Sequence, residues 1–259
     1  MDLRYSVVGL FVGFLVGLTG MGGGALMTPI LYLFMHTKLK VAIGSDLTYA
    51  AIMKIFGSWQ HFRAKNVNVG LALRLAAGSV PASLVGVWYT KHLEAQFGPN
   101  AQHVLARFLG AAIVLVAASL ILRSIPAIKD RFTLSAEKAE KRQKSLLWTL
   151  PIGALLGFLV GVTSVGSGSL FGVALLLLFG MGAKEMVGTD VFQATLLSAA
   201  AAAGHMWIND VNYGLIATLL IGAIPGILVG SRLATRVSDR VLQPTLATVL
   251  LLTGLAVLK

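Results

Sequence analysis

Five ionisable side chains stand inside apolar stretches of this chain: Asp46, Lys54 and His61, then Asp190 and His205. Asp46, Lys54 and His61 follow one another at intervals of eight and seven residues. At 100° per residue they fall roughly on one stripe of a helix. Ionisable groups at membrane depth mark ion paths, proton relays and counter-charges. Lys54 can serve as counter-charge to an anion or as partner of Asp46. At membrane depth Asp46 and Asp190 can bind a coupling proton or coordinate a cation. The competing role for both aspartates is an N-cap on the helix that follows. His61 and His205 lie about 22 Å from the aspartates along such a helix. They titrate near neutral pH and suit a proton relay, or else a local hydrogen bond at an interface. Gln193 occupies the place of Tyr49 in the second set and is a candidate to face the site.

The second source of chemistry is a glycine-rich run, Gly17-Leu-Thr-Gly-Met-Gly-Gly-Gly-Ala-Leu-Met-Thr-Pro29, inside an apolar segment from about residue 5 to 35. Each glycine weakens a helix interior by roughly 1 kcal/mol relative to alanine. A second run, Gly161-Val-Thr-Ser-Val-Gly-Ser-Gly-Ser-Leu170, has the same character. Both predict a helix broken at membrane depth, with close helix packing through small residues as the plainer alternative. A broken helix turns peptide N–H groups and a partial positive charge toward an anion. The candidate donors are Gly22, Gly23, Gly24, Gly166 and Gly168, with hydroxyls from Thr19, Thr163, Ser164, Ser167 and Ser169. These hydroxyls can equally bond to neighbouring helices.

The two sets of residues belong to a duplication. The second run lies 144 residues after the first, and the offset holds without a gap through most of a half-chain. Gly13-Phe-Leu-Val-Gly17 recurs as Gly157-Phe-Leu-Val-Gly161, Gly44 and Asp46 as Gly188 and Asp190, and His61 as His205. Asn68, Pro81 and Gly86 recur as Asn212, Pro225 and Gly230. Roughly a third of positions match from Gly9 to Gly86. Internal duplication is frequent in transporters. Lys54 alone of the candidate charges is unduplicated, since Ser198 takes its place.

The elements that must position these residues are membrane helices. The 259 residues are 56% hydrophobic and 12% charged, with mean hydropathy +0.83. Soluble domains carry about twice that charged fraction. The absence of cysteine excludes disulfides and thiolate metal sites. The net charge of +11 is explained by basic cytoplasmic loops rather than by nucleic acid. The first apolar run matches an internal segment and reads as a membrane element, not a cleavable leader.

The expected fold is an all-α polytopic membrane protein of two homologous four-segment halves. A first repeat spans residues 1–123, a basic linker 124–146 and a second repeat 147–259. Half-helices are expected at 6–19 and 24–35, then segments at about 43–62, 70–90 and 104–122. Their counterparts are 147–181, broken at 164–169, then 187–208, 213–234 and 241–258. Pro81 and Pro225 should kink the third segments and act as hinges. Asn68 and Asn212 should cap them. Arg74 reads as a snorkelling side chain, and residues 135–144 as a short surface helix. If the broken first segments cross the membrane, the halves run parallel. If they are re-entrant hairpins, the halves are inverted. The inverted form places Arg63, Lys65, Lys184, Arg232, Arg236 and Arg240 with the linker in the cytoplasm, and the positive-inside rule favours it.

No enzyme constellation is present. The glycine run lacks the Gly-Lys-Ser/Thr of a phosphate-binding loop, and metal-ligand spacing is missing. No cofactor is called for.

The run from Gly17 to Leu31, the Val-Gly-Ser-Gly-Ser version at residues 165–169, and the Gly-Ser-Asp and Gly-Thr-Asp pair ending in Asp46 and Asp190 resemble the TauE/SafE sulfite exporter family over nearly the whole chain. The resemblance implies a multi-pass permease of a plasma membrane, the inner membrane of a bacterium. Its expected cargo is sulfite, an organosulfonate or a related small sulfur-containing anion. Protons and membrane lipid are the other expected partners. A carrier for an organic carboxylate or a cation, and a passive channel, are the competing readings.

Overall fold

The computed structural model describes residues 3–19, 24–124, 135–234 and 239–259. The described residues form helices α1 (Leu3–Thr19), α2 (Gly24–Leu33), α3 (Leu39–Arg63), α4 (Val69–Phe97), α5 (Ala101–Ser124), α6 (Ala136–Lys144), α7 (Leu146–Thr163), α8 (Leu170–Leu177), α9 (Ala183–Trp207), α10 (Tyr213–Ala234) and α11 (Asp239–Leu258). A single 3-10 turn, Gly98–Asn100, joins α4 to α5. No strand occurs among the described residues. Among the described residues, five helices, α4, α5, α7, α9 and α10, are long and apolar enough to cross a membrane.

The exterior carries many large apolar side chains, and polar groups lie among the buried ones. Leu73, Leu84, Trp88, Leu115, Leu155, Ile221 and Leu252 are exposed, whereas Asp46, Lys54, Ser79, Gln193, Ser198 and His205 are buried. An apolar exterior with polar groups enclosed in the core suits a hydrocarbon surround. The apolar core between α5, α9 and α11 is built on Leu109, Ile113, Val116, Leu197 and Leu250.

Glycines fix how the helices pair. A Cβ on Gly9, Gly13 or Gly17 would strike the backbone of Leu219, Ala223 or Ile227. Both series rise together, so α1 and α10 lie side by side and run the same way. Gly153, Gly157 and Gly161 meet Leu75, Ser79 and Ser83 in the same manner, which sets α7 alongside α4. In contrast, α3 and α9 are antiparallel. Gly44 abuts Asp210, the Thr195 hydroxyl donates to the Lys54 carbonyl at 3.2 Å, and Gly188 abuts Asn66. α5 and α11 are also antiparallel, with Gly110 against Leu258 and Gly254 against Val114.

These pairings set the direction of the first segments. α10 returns from α9 through a short turn and therefore runs with α3. α1 runs with α10, so α1 and α3 share a direction and α2 between them runs back. The Thr28 to Asp46 contact across the α2–α3 turn agrees with that reversal. The same reasoning makes α8 run back against α7.

Two expected caps are present. Asn68 Oδ1 accepts from the Leu71 N–H at 3.1 Å, and Asn212 Oδ1 from the Leu215 N–H at 3.0 Å. The aspartate caps are corrected. The helices begin at Leu39 and Ala183, so Asp46 and Asp190 stand two turns inside them. Neither helix start has a side-chain cap bond. Pro81 and Pro225 lie within α4 and α10, and both helices continue past them. The linker helix α6 appears where expected, with Glu137–Lys141 and Glu140–Lys144 pairs on its surface. Arg74 does not simply snorkel. Its guanidinium donates to the Gln143 carbonyl at 3.0 Å, and Gln143 Nε2 donates to the Phe179 carbonyl beyond α8 at 2.8 Å.

Candidate functional site

The chain between α7 and α8 breaks at 164–169, as the sequence suggests. Ser164 has φ +64°, Gly166 φ +106° and Gly168 φ +137°. Glycine reaches the two larger angles without Cβ strain. α3, from the other half of the chain, reaches this break at two points. The Ser164 hydroxyl donates to Asp46 Oδ2 at 2.8 Å, and Thr28 on α2 donates to the same oxygen at 2.6 Å. Two turns on, Lys54 Nζ donates to the Ser167 carbonyl at 2.6 Å and to its hydroxyl at 2.8 Å. Asp46 therefore ties both broken segments together, and Lys54 holds the second break rather than its neighbour Asp46. Asp46 Oδ1 is buried with no hydrogen-bond partner.

The expected free N–H groups are in part committed. The N–H groups of Gly168, Leu170 and Phe171 all donate to the Gly166 carbonyl, at 2.9, 3.2 and 3.4 Å. Thr163 is turned inward on its own helix, donating to the Leu159 carbonyl and accepting from the Val165 N–H. Ser169 is buried at the start of α8 without a capping bond. In the first half Thr19 closes α1 and Gly24 opens α2. Gly22 and Gly23 lie outside the described residues.

A cavity of about 600 Å³ opens between α1, α3, α9 and α10 and touches the break at Gly168. Its polar lining is Tyr49, Lys54, Gln60, His61, Asp190 and Ser231, and the remainder is apolar, including Met53, Phe56, Val191 and Ile224. The structure thus brings Lys54, Asp190, His61 and Gly168 to one space. Gln193 is elsewhere. It is fully buried against α4, where its Nε2 donates to Ser79 Oγ at 2.7 Å and its Oε1 has no partner.

The two histidines part company. His205 is 0% exposed, with Nε2 3.2 Å from the Gly161 carbonyl and Nδ1 4.0 Å from Asp210. His61 instead lines the cavity, and its Nδ1 has no partner. Asp210, in the loop after α9, pairs with Lys40 at 3.3 Å, and Lys40 also binds Glu94 at 2.7 Å. Burial holds the Asp210 carboxyl above the ordinary carboxylate range, against the pull of Lys40.

Sequence reasoning missed Thr28, Tyr49 and Asp210 as site members. Asp210 stands where the repeat has Asn66, a mismatch that marks it; a threonine within an apolar helix carries no such mark. Among the described residues no three of His, Asp and Glu converge as metal ligands would.

The sulfite exporter TauE/SafE family profile matches residues 5–257. A probable membrane transporter protein of Bacillus subtilis, YjnA, is 41% identical over 98% of this chain and 99% of its own. A second from the same organism, YdhB, is 22% identical over 97% and 98%. The probable membrane transporter protein MJ0441 of Methanocaldococcus jannaschii is 26% identical over 91% and 85%. No solved structure matches the chain. With the multi-pass helices, the polar interior and a family match covering nearly the whole length, this chain is a membrane transporter and a member of the sulfite exporter TauE/SafE family.

Proposed function

We propose that the protein is a secondary transporter that exports sulfite or a related small sulfur-containing anion from the cytoplasm, coupled to protons. The observation that carries this reading is the meeting of Lys54, Asp190 and the Gly168 break in one cavity at the junction of the two halves. Lys54 supplies positive charge to the anion. Ser167 fixes it from one side and leaves the cavity as its remaining direction. Asp46 and Asp190 carry the coupling proton, because one lysine between two carboxylates leaves a site too negative for an anion unless a carboxylate takes up a proton.

The halves are inverted repeats around this site, each opening with a re-entrant hairpin. Antiparallel pairing of α3 with α9 and of α5 with α11 supports the inversion. Residue pairs at matching repeat positions support the duplication. The Thr189 hydroxyl meets the Asn68 N–H as Ser45 meets that of Asn212. Left-handed turns fall at His36 and Gly180 and at Lys65 and Asn209, both pairs in register. In this arrangement Arg63, Lys65, Lys184 and Arg232 share a face with the linker, which is then cytoplasmic. The cavity opens toward that face past Gln60 and Ser231. Access alternates around this site, with Pro81 and Pro225 as hinges.

The apolar wall of Met53, Phe56, Ile224 and Leu228 favours one variant of this reading, an anion with a carbon skeleton. Uptake of labelled sulfite into proteoliposomes tests both. Saturable flux inhibited by unlabelled sulfite and not by acetate or divalent metal supports the sulfur anion. Inhibition by acetate alone moves the substrate to carboxylates, and unsaturable flux makes the protein a channel.

A further inference from the structure

Positions related by the 144-residue offset should make the same contacts if the halves were placed alike. Along α1–α10 and α7–α4 they do. Along the second helices they do not. α9 packs directly on α4, with Gly204 against Leu84 and Val87. The corresponding α3 stands off α10, and the cavity fills the gap, with Gln60 on one wall and Leu228 and Ser231 on the other. Gln60, Leu228 and Ser231 are the repeat counterparts of Gly204, Leu84 and Val87.

The histidines follow the same split. A helix leaves its last carbonyls without intrahelical donors. α7 ends at Thr163, and the Val165 N–H is taken by the Thr163 hydroxyl, so the Gly161 carbonyl is met by His205. α1 ends at Thr19, which puts the Gly17 carbonyl in the equivalent place. Its counterpart donor, His61, faces the cavity instead, across from Val16, Ile227 and Ser231.

Resting on the transporter reading, we propose that the second conformation of this protein swaps the two arrangements. α3 seats on α10 through Gln60 against Leu228 and Ser231, and His61 Nε2 donates to the Gly17 carbonyl. α9 leaves α4, and His205 releases Gly161. The cytoplasmic cavity closes as one forms between α9 and α4. The two histidines are gate latches, each capping the broken helix of its own half in turn, rather than members of a proton wire.

The chain has no cysteine, so thiols can be placed at will. The test joins Gln60→Cys with Ser231→Cys across the cavity, using a short bismaleimide in membranes free of sulfite. Val87→Cys, whose native side chain is 2% exposed, reports on the opposite face through a water-soluble maleimide added afterwards. The expected result is that crosslinking stops labelled-sulfite flux and raises Val87→Cys labelling at least severalfold. His61→Ala should lower the crosslink yield severalfold. Crosslinking that leaves Val87→Cys protected overturns the exchange, even where flux in the uncrosslinked protein upholds the transporter. A pair that never crosslinks while both single thiols label freely overturns it too. An unchanged yield in His61→Ala removes the latch. If the uncrosslinked protein moves no labelled sulfite, the transporter reading fails separately, and Val87→Cys labelling still decides the exchange.

Discussion

Around His205 the protein is closed. The ring is fully buried, it meets the Gly161 carbonyl, and α9 lies on α4. Around His61, at the matching position of the other half, there is a cavity of about 600 Å³. Segments matched by the 144-residue offset have been set down in two ways. The difference does not arise from the glycine seams, since Gly13 and Gly157 pack against matching backbone positions in both halves. It lies in the second helices, α3 and α9, and in what each packs against. Gly204 lets α9 lie on Leu84 and Val87 of α4, whereas Gln60 stands at that place in α3. Lys54 in place of Ser198 adds a charge that reaches across to Ser167. Symmetric seams beside one sealed and one open contact are what the proposed exchange would use, with α9 leaving α4 as α3 seats on α10.

The largest effect is expected from Lys54→Ser, which makes the first half match the second. Transport should fall by on the order of tenfold or more, as loss of a buried ionic partner costs a few kcal/mol. Retained flux would remove Lys54 from the anion site. Gly13→Ala and Gly157→Ala should each destabilise by about 1–3 kcal/mol, since the added Cβ meets the backbone of Ala223 or Ser79. Detergent unfolding curves of the two variants should shift together; a shift in one alone would break the equality of the seams. His205→Ala should cost about 1 kcal/mol, because it leaves the Gly161 carbonyl without its donor. His61→Ala should change unfolding much less. Equal shifts would mean that His61 is as engaged as His205. The smallest effects belong to Asn68→Ala and Asn212→Ala, each expected to cost about 1 kcal/mol or less through a lost helix cap.

The helices and the second break were legible because they depend on local chemistry. Apolar length gave the segments, and Gly166 and Gly168 are needed where φ is strongly positive. Asn68 and Asn212 were legible as caps because a cap acts within three residues. The aspartate caps failed for the same local reason. Neither α3 nor α9 begins with a capping side chain, so an aspartate two turns further on looked like the start. What Asp46 and Lys54 actually hold was not legible. Ser164 and Ser167 lie more than a hundred residues away, and no local pattern links them. The Gly17 and Gly161 runs served both readings at once. Those two glycines pack against neighbours, while Gly166 and Gly168 turn the chain. Of the N–H donors expected at the break, that of Gly168 is bound to the Gly166 carbonyl, a pairing that only the turned backbone shows.

Coupling is the centre of the account. Proteoliposomes carrying the wild type, Asp46→Asn or Asp190→Asn are loaded and assayed with labelled sulfite under an imposed pH gradient. The wild type should accumulate the label against its gradient, while both variants should keep sulfite–sulfite exchange and lose accumulation. Variants that accumulate as well as the wild type would contradict it.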